Sequence, residues 1–214
     1  MIKENYLSII SEIPEGVTLI VAAKTRTKEE VKELIEAGAF YIGENYVQEA
    51  EKMKKELGDS KIKWHLIGNL QKGKINKAIE IFDLIQSIDS FELAEAINAR
   101  LSKIMPVLIE INSAREWGKS GVYPENAEEL IRKISLLKNL RIRGLMTMGP
   151  AKTAKELRPY FKETKDLFDR IKEMKINNVD MDILSMGMSN SYKVAIEEGS
   201  NMIRVGTSIF GKRK

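Results

Sequence analysis

Eight short apolar runs, each separated from the next by a longer amphipathic stretch, limit what this 214-residue chain can fold into more than any other feature. The runs are TLIVAAK (18–24), FYIGEN (40–45), KWHLIG (63–68), DLIQSID (83–89), MPVLIEIN (105–112), LRIRGLMTM (140–148), MDILSMG (181–187) and NMIRVGTSIFG (201–211). Their length and near-continuous apolar character are those of strands buried on both faces. The intervening segments carry a helical period. In TKEEVKELIEAG, Val31, Leu34 and Ile35 share one face and Gly38 is a natural stop. SFELAEAINARL opens on Ser90 as a candidate N-cap, and PENAEELIRKISLLKNL has Pro124 near its first turn. Eight strand–helix units in one chain of this length predict an α/β fold, a closed parallel (β/α)8 TIM barrel, in preference to an open doubly wound sheet. No Pro/Gly/Ser-rich linker divides the chain, so residues 1–214 are expected to form a single domain that starts with a short N-terminal helix.

Several classes of function are excluded by composition. With 43% apolar and 31% charged residues, the chain can bury a sizeable core under a well-solvated surface. Its 35 Lys+Arg are interleaved with 31 Asp+Glu for a formal charge of +4, which does not point to a nucleic-acid partner. The lysine-rich stretches QEAEKMKKELG and QKGKINKAIEIF have the spacing of solvated helix faces. Cysteine is absent and there is one histidine, so neither a disulfide framework nor a protein-built metal site is expected. The opening MIKENYLSIISEIPEG reads as neither signal peptide nor membrane span, and no run approaches the roughly 20 apolar residues of a spanning helix. A cytoplasmic protein without a membrane partner is the expectation.

In such a barrel chemistry gathers at the C-terminal ends of the strands. Read in order, those ends offer Lys24, Asn45, His65 with Gly68, Asp89, Asn112, Met146 to Met148, SMGMS and RVGT. Lys24 closes a run that reads as buried, and a buried ammonium is costly unless paired, neutralised or used covalently. The last two ends form a candidate phosphate site. SMGMSNSYKVAIEEG supplies a glycine turn, two serines and a helix opening near Ser189, while RVGTSIFG supplies Gly206 and Thr207. Strand alternation puts Met202, Arg204 and Gly206 on the inward face and Ile203 and Val205 against the helices. An inward guanidinium needs a fixed acceptor, either a ligand or an internal carboxylate. By the same alternation His65 and Ile67 face inward, so His65 is either a stacking or polar partner at the barrel mouth or a satisfied core histidine.

A lysine facing a phosphate site restricts the chemistry. An amine of lowered pKa condenses with a carbonyl, and the phosphorylated aldehyde kept for that purpose is pyridoxal 5′-phosphate, which Lys24 would hold as an internal aldimine. A class I aldolase, whose lysine attacks a sugar phosphate directly, is the alternative.

VAAKT, GENYVQEA, WHLIGNLQKGK, SID, GLMTMGP, SMGMS and MIRVGTSIFG, taken together and in order, resemble the pyridoxal-phosphate homeostasis family, the alanine-racemase-N-terminal-domain-like proteins, over nearly the whole chain. The resemblance implies a fold-type III barrel without the second, β-rich domain of the racemases. It implies that Lys24 binds the cofactor, that Asn45 lies beside its ring, that Ser189, Gly206 and Thr207 surround its phosphate, and that Arg204 meets its pyridine nitrogen. Two positions depart from the family pattern: Ser191, where an acidic residue is usual, and Asn201, where threonine is common.

The function expected is a non-enzymatic one, binding the cofactor for intracellular homeostasis, with cofactor-dependent apoenzymes as the partners that role implies and a monomer as the working state. Racemisation needs an acid/base on each face of the substrate carbon, and the racemases draw the second from a tyrosine and a partner chain's extra domain. A guanidinium at the pyridine nitrogen also weakens the ring as an electron sink. The alternative is a low-activity amino-acid racemase using Lys24 with Tyr46 or a water. An RNA- or protein-binding barrel without a ligand is a third class.

Overall fold

A computed structural model describes residues 1–58 and 61–211. Its strands are β1 (Thr18–Ala22), β2 (Tyr41–Glu44), β3 (Lys63–Leu66), β4 (Leu84–Ile88), β5 (Met105–Ile111), β6 (Leu140–Thr147), β7 (Val179–Met186) and β8 (Met202–Val205). They close in chain order into one parallel barrel, with β8 returning to β1 so that Ile20 lies opposite Arg204 and Val21 opposite Val205.

Most buried strand positions are apolar because each strand must satisfy two apolar layers. Ile20, Ile67, Leu84, Leu108, Met146 and Met202 fill the barrel interior. Their neighbours, among them Val21, Ile42, Trp64, Leu66, Val107, Ile203 and Val205, pack outward beneath the helices. Polar side chains occupy other inward positions: His65, Gln86, Ser185 and Arg204 are all buried inside the barrel wall.

Around it lie α1 (Ile2–Glu12), α2 (Lys28–Glu36), α3 (Val47–Leu57), α4 (Ile75–Ile81), α5 (Phe91–Asn98), α6 (Ala127–Ile134), α7 (Ala154–Glu173), α8 (Tyr192–Glu197) and α9 (Thr207–Phe210). Thr–Glu pairs cap two of them. Thr27 and Glu30 bond reciprocally at the head of α2, and at the head of α7 the Glu156 carboxylate accepts from Thr153 N at 3.1 Å and from its hydroxyl at 2.6 Å. Helix α1 seals one side of the wall through Asn5, which donates to the Ile209 carbonyl at 2.9 Å, and through Glu12, which accepts from Tyr192 Oη and pairs with Lys193.

Two expected strands are shorter than their apolar runs. β1 stops at Ala22, so Lys24 belongs to a turn and is half-buried rather than buried. The last run divides at Gly206. Val205 pairs with Val21, β1 ends one residue later, and without a neighbour to continue the ladder residues 207–210 turn into α9. Asn201 anchors the entry to β8, its Oδ1 accepting from Leu184 N and its Nδ2 donating to the Asp182 carbonyl, each at 2.7 Å. Among the described residues no helix is long and apolar enough to cross a membrane, and no cluster of three metal-ligating side chains is present.

Candidate functional site

A cavity of about 470 Å³ opens at the C-terminal ends of β1, β2, β7 and β8. Lys24, Asn45, Ser189, Arg204, Gly206 and Thr207 line it, so the structure brings together six of the seven residues singled out in the sequence. Lys24 reaches it from a turn closed by Arg26 N donating to the Ala23 carbonyl at 2.9 Å. The next residue, Thr25, adopts φ +63°, a left-handed conformation unfavourable for a β-branched side chain. Its N–H is taken by Glu49 Oε2 at 3.1 Å, which ties the lysine turn to the first turn of α3. The Lys24 ammonium stands 5.3 Å from the centre of the Tyr46 ring.

Asn45 follows β2 directly, and Gly68 allows it to sit there. A Cβ on Gly68 would lie 2.5 Å from the Asn45 carbonyl oxygen, so the loop after β3 approaches only because it carries no side chain.

On the opposite wall the loops after β7 and β8 interlock. Gly187, at φ +91°, leaves no room for a side chain against Ala195 and turns the chain out of β7. The helix expected near Ser189 begins only at Tyr192, which leaves Ser189 in the loop and free to reach across. Its Oγ accepts the N–H groups of Gly206 and Ser208, both at 3.2 Å. An oxygen therefore already occupies the focus of two backbone donors beside Thr207, the geometry a phosphate oxygen requires. Ser191 lies apart from the cavity, its Oγ accepting from Met188 N at 3.1 Å.

Arg204 is inward and buried, as alternation requires, and among the described residues no carboxylate forms a salt bridge with it. Its Nη1 donates to Ser185 Oγ at 2.5 Å and its Nη2 to the Thr147 carbonyl at 2.8 Å. Burial lowers its pKa to about 10, with the charge of Glu110 opposing. Glu110 is pushed up to about 7 by burial and then by Asp89, with Arg204 opposing.

His65 is not brought to the cavity. It faces inward at the other end of the barrel, lining a separate depression with Thr18, Tyr41, Lys63 and Met202, and its Nδ1 meets Gln86 Nε2 at 3.0 Å. The satisfied-core alternative describes it, and burial lowers its pKa to about 4. Alternation assigns a face but not a height along the barrel axis, and His65 sits two residues too low.

Sequence reasoning missed Arg26 and Asn190 in the cavity wall and the Ser185 support beneath Arg204, and it gave Ile67 only a face and Met148 and Met188 only places at strand ends. Among the described residues the lining holds no histidine, tyrosine or carboxylate. The proton-transfer group available there is Lys24, since arginine stays protonated.

A family model described as alanine racemase, N-terminal domain, matches residues 1–214. The pyridoxal phosphate homeostasis protein of Aquifex aeolicus (strain VF5) is 40% identical over 200 residues, covering 92% of this chain and 87% of that protein. PipY of Synechococcus elongatus PCC7942, solved without PLP, superposes with a TM-score of 0.93 at 34% identity over 99% of this chain and 100% of PipY. Its structure with PLP bound gives 0.90 at 33% identity over the same shares. An alanine racemase of Clostridium difficile 630 shares the fold, with a TM-score of 0.81 at 18% identity over 99% of this chain and 56% of its own.

Proposed function

This chain belongs to the alanine racemase N-terminal domain family, and on that footing we propose that it binds pyridoxal 5′-phosphate on Lys24 and serves the homeostasis of that cofactor in the cytoplasm. The carrying observation is the meeting of a primary amine, a guanidinium and the Ser189–Gly206–Thr207 cradle in one cavity. This donor set fits the group: Lys24 for its aldehyde carbon, the cradle for its phosphate, Arg204 for its ring nitrogen and Asn45 beside the ring. When bound, the cofactor supplies an aldehyde that condenses with amines and a ring that draws electrons. The residues hold and orient it. The relative named pyridoxal phosphate homeostasis protein and the PLP-bound PipY support this reading.

Storage and delivery, rather than turnover, is the role the cavity favours. A racemase needs an acid/base on both faces of the reacting carbon, and the lining offers Lys24 alone. Tyr46 stands near Lys24 but is half-exposed and outside the lining. Cofactor-requiring apoenzymes are the recipients this role implies, and the working unit is a monomer.

Borohydride reduction of the cofactor-loaded protein followed by peptide mass spectrometry tests the assignment. A pyridoxyl adduct on Lys24 is expected, and an adduct confined to another lysine overturns it. Chiral analysis after long incubation with L-alanine should find no D-alanine above the blank.

A further inference from the structure

We propose, given the assignment of Arg204 to the cofactor cavity, that Ser185 and Gln86 are positioning residues that hold its guanidinium in place through a directed hydrogen-bond chain ending on His65. The chain crosses the barrel interior. Arg204 Nη1 donates to Ser185 Oγ at 2.5 Å, Ser185 Oγ donates to Gln86 Oε1 at 2.7 Å, and Gln86 Nε2 meets His65 Nδ1 at 3.0 Å. All four side chains are buried, Ser185 and Gln86 completely.

Its direction follows from the first link. A guanidinium has no acceptor, so Ser185 must accept from it and has a single hydrogen left to give. That hydrogen goes to Gln86 Oε1, which fixes the amide orientation and turns Nε2 toward His65. His65 Nδ1 is then the acceptor, its proton lies on Nε2, and the ring is neutral, in keeping with a pKa held down at about 4 by burial. A protonated His65 would set two donors against each other and reverse the amide. Meanwhile Nη2 donates to the Thr147 carbonyl, so two fixed acceptors pin the guanidinium plane.

Apolar side chains such as Ile20 and Leu108 fill the same interior elsewhere, and they would do so here without the desolvation cost of three polar groups. What Ser185, Gln86 and His65 add is orientation of one cation. Through this chain His65 serves the cavity that it does not touch.

The test compares Ser185→Ala, Ser185→Thr and Gln86→Met, alone and on an Arg204→Met background. In cofactor-free protein labelled with ¹⁵N-arginine, the Arg204 side-chain signals should broaden or merge in Ser185→Ala and Gln86→Met and stay as in wild type in Ser185→Thr. Pyridoxal 5′-phosphate should still reduce onto Lys24, with retention weakened roughly tenfold and the visible band shifted. On the Arg204→Met background Ser185→Ala should add nothing. Unchanged arginine signals in both disrupting variants, or losses that add fully on the Arg204→Met background, overturn the proposal. Gln86→Met keeps side-chain volume and breaks the chain one link further back, so the question is still decided if Ser185→Ala does not fold. Absence of a reducible adduct in the wild type would instead sink the cofactor assignment, and the arginine signals would still report on the chain.

Discussion

Glu49 accepts the backbone N–H of Thr25 at 3.1 Å, one residue beyond the lysine that lines the cavity. A helix side chain thereby stabilises a turn whose φ of +63° a threonine resists. Lys24 is held less by its own contacts than by the residue after it.

Removing that acceptor should loosen the lysine. Glu49→Ala is expected to lower stability by about 1 kcal/mol, the modest value reflecting an exposed bond, and to weaken cofactor retention several-fold. Thr25→Gly relieves the left-handed strain, so it should restore the melting temperature of Glu49→Ala without restoring retention. Thermal melts and cofactor titrations of the three proteins check this; identical behaviour of Glu49→Ala and wild type would mean that the turn holds itself.

Lys24→Ala should abolish the reducible adduct and leave the melting temperature of the cofactor-free protein close to wild type. The side chain is half-buried in a turn and supports neither apolar layer of the barrel. Mass spectrometry after borohydride treatment reads the first effect and calorimetry the second. A large loss of stability would show that Lys24 carries structural load.

Strand alternation was enough to place Arg204 and Ile67 inward and Ile203, Val205, Trp64 and Leu66 outward, because a barrel wall between two apolar layers enforces the two-residue period. It was silent on height. His65 and Ile67 share a face, yet only Ile67 reaches the cavity, since strand tilt and stagger set the level of each residue and leave no mark in a single strand's sequence. Gln86 in DLIQSID and Ser185 in MDILSMG read as ordinary strand positions. Their meaning depends on strands distant in the chain lying across one interior. The split at Gly206 was hidden for a related reason: TSIF is as apolar as a strand, and what ends β8 is the length of its partner β1.

Thr207→Val should weaken binding of pyridoxal 5′-phosphate roughly five- to tenfold, the loss of one hydroxyl bond to a charged acceptor. Pyridoxal, which lacks the phosphate, should bind the two proteins alike. Fluorescence titration with both ligands makes the comparison, and an equal effect on pyridoxal would move the phosphate away from Thr207.

Glu44, at the end of β2, is 1% exposed, and its Oε2 is a buried oxygen without a hydrogen-bond partner. Burial, then the nearby charge of Glu49, raises its pKa from the ordinary 4.5 to about 8. The folded protein therefore binds this proton more tightly than the unfolded chain does. Its contribution to stability is fully present below pH 4.5 and is lost as pH rises toward 8. Glu110, raised to about 7, has the same sign but is nearly spent by neutral pH. His65, lowered from 6.5 to about 4, has the opposite sign: folding disfavours its charged form, so its contribution grows between those values and is constant above them. Above pH 7 the slope thus belongs mainly to Glu44, at about 1 kcal/mol lost between pH 7 and pH 9. Glu44→Gln replaces the carboxyl with a neutral group of the same shape and should remove most of that slope, leaving the variant the more stable protein at pH 9. Urea unfolding of both proteins at pH 7, 8 and 9 measures it, and parallel losses in the two would show that Glu44 is ionised in the folded state throughout.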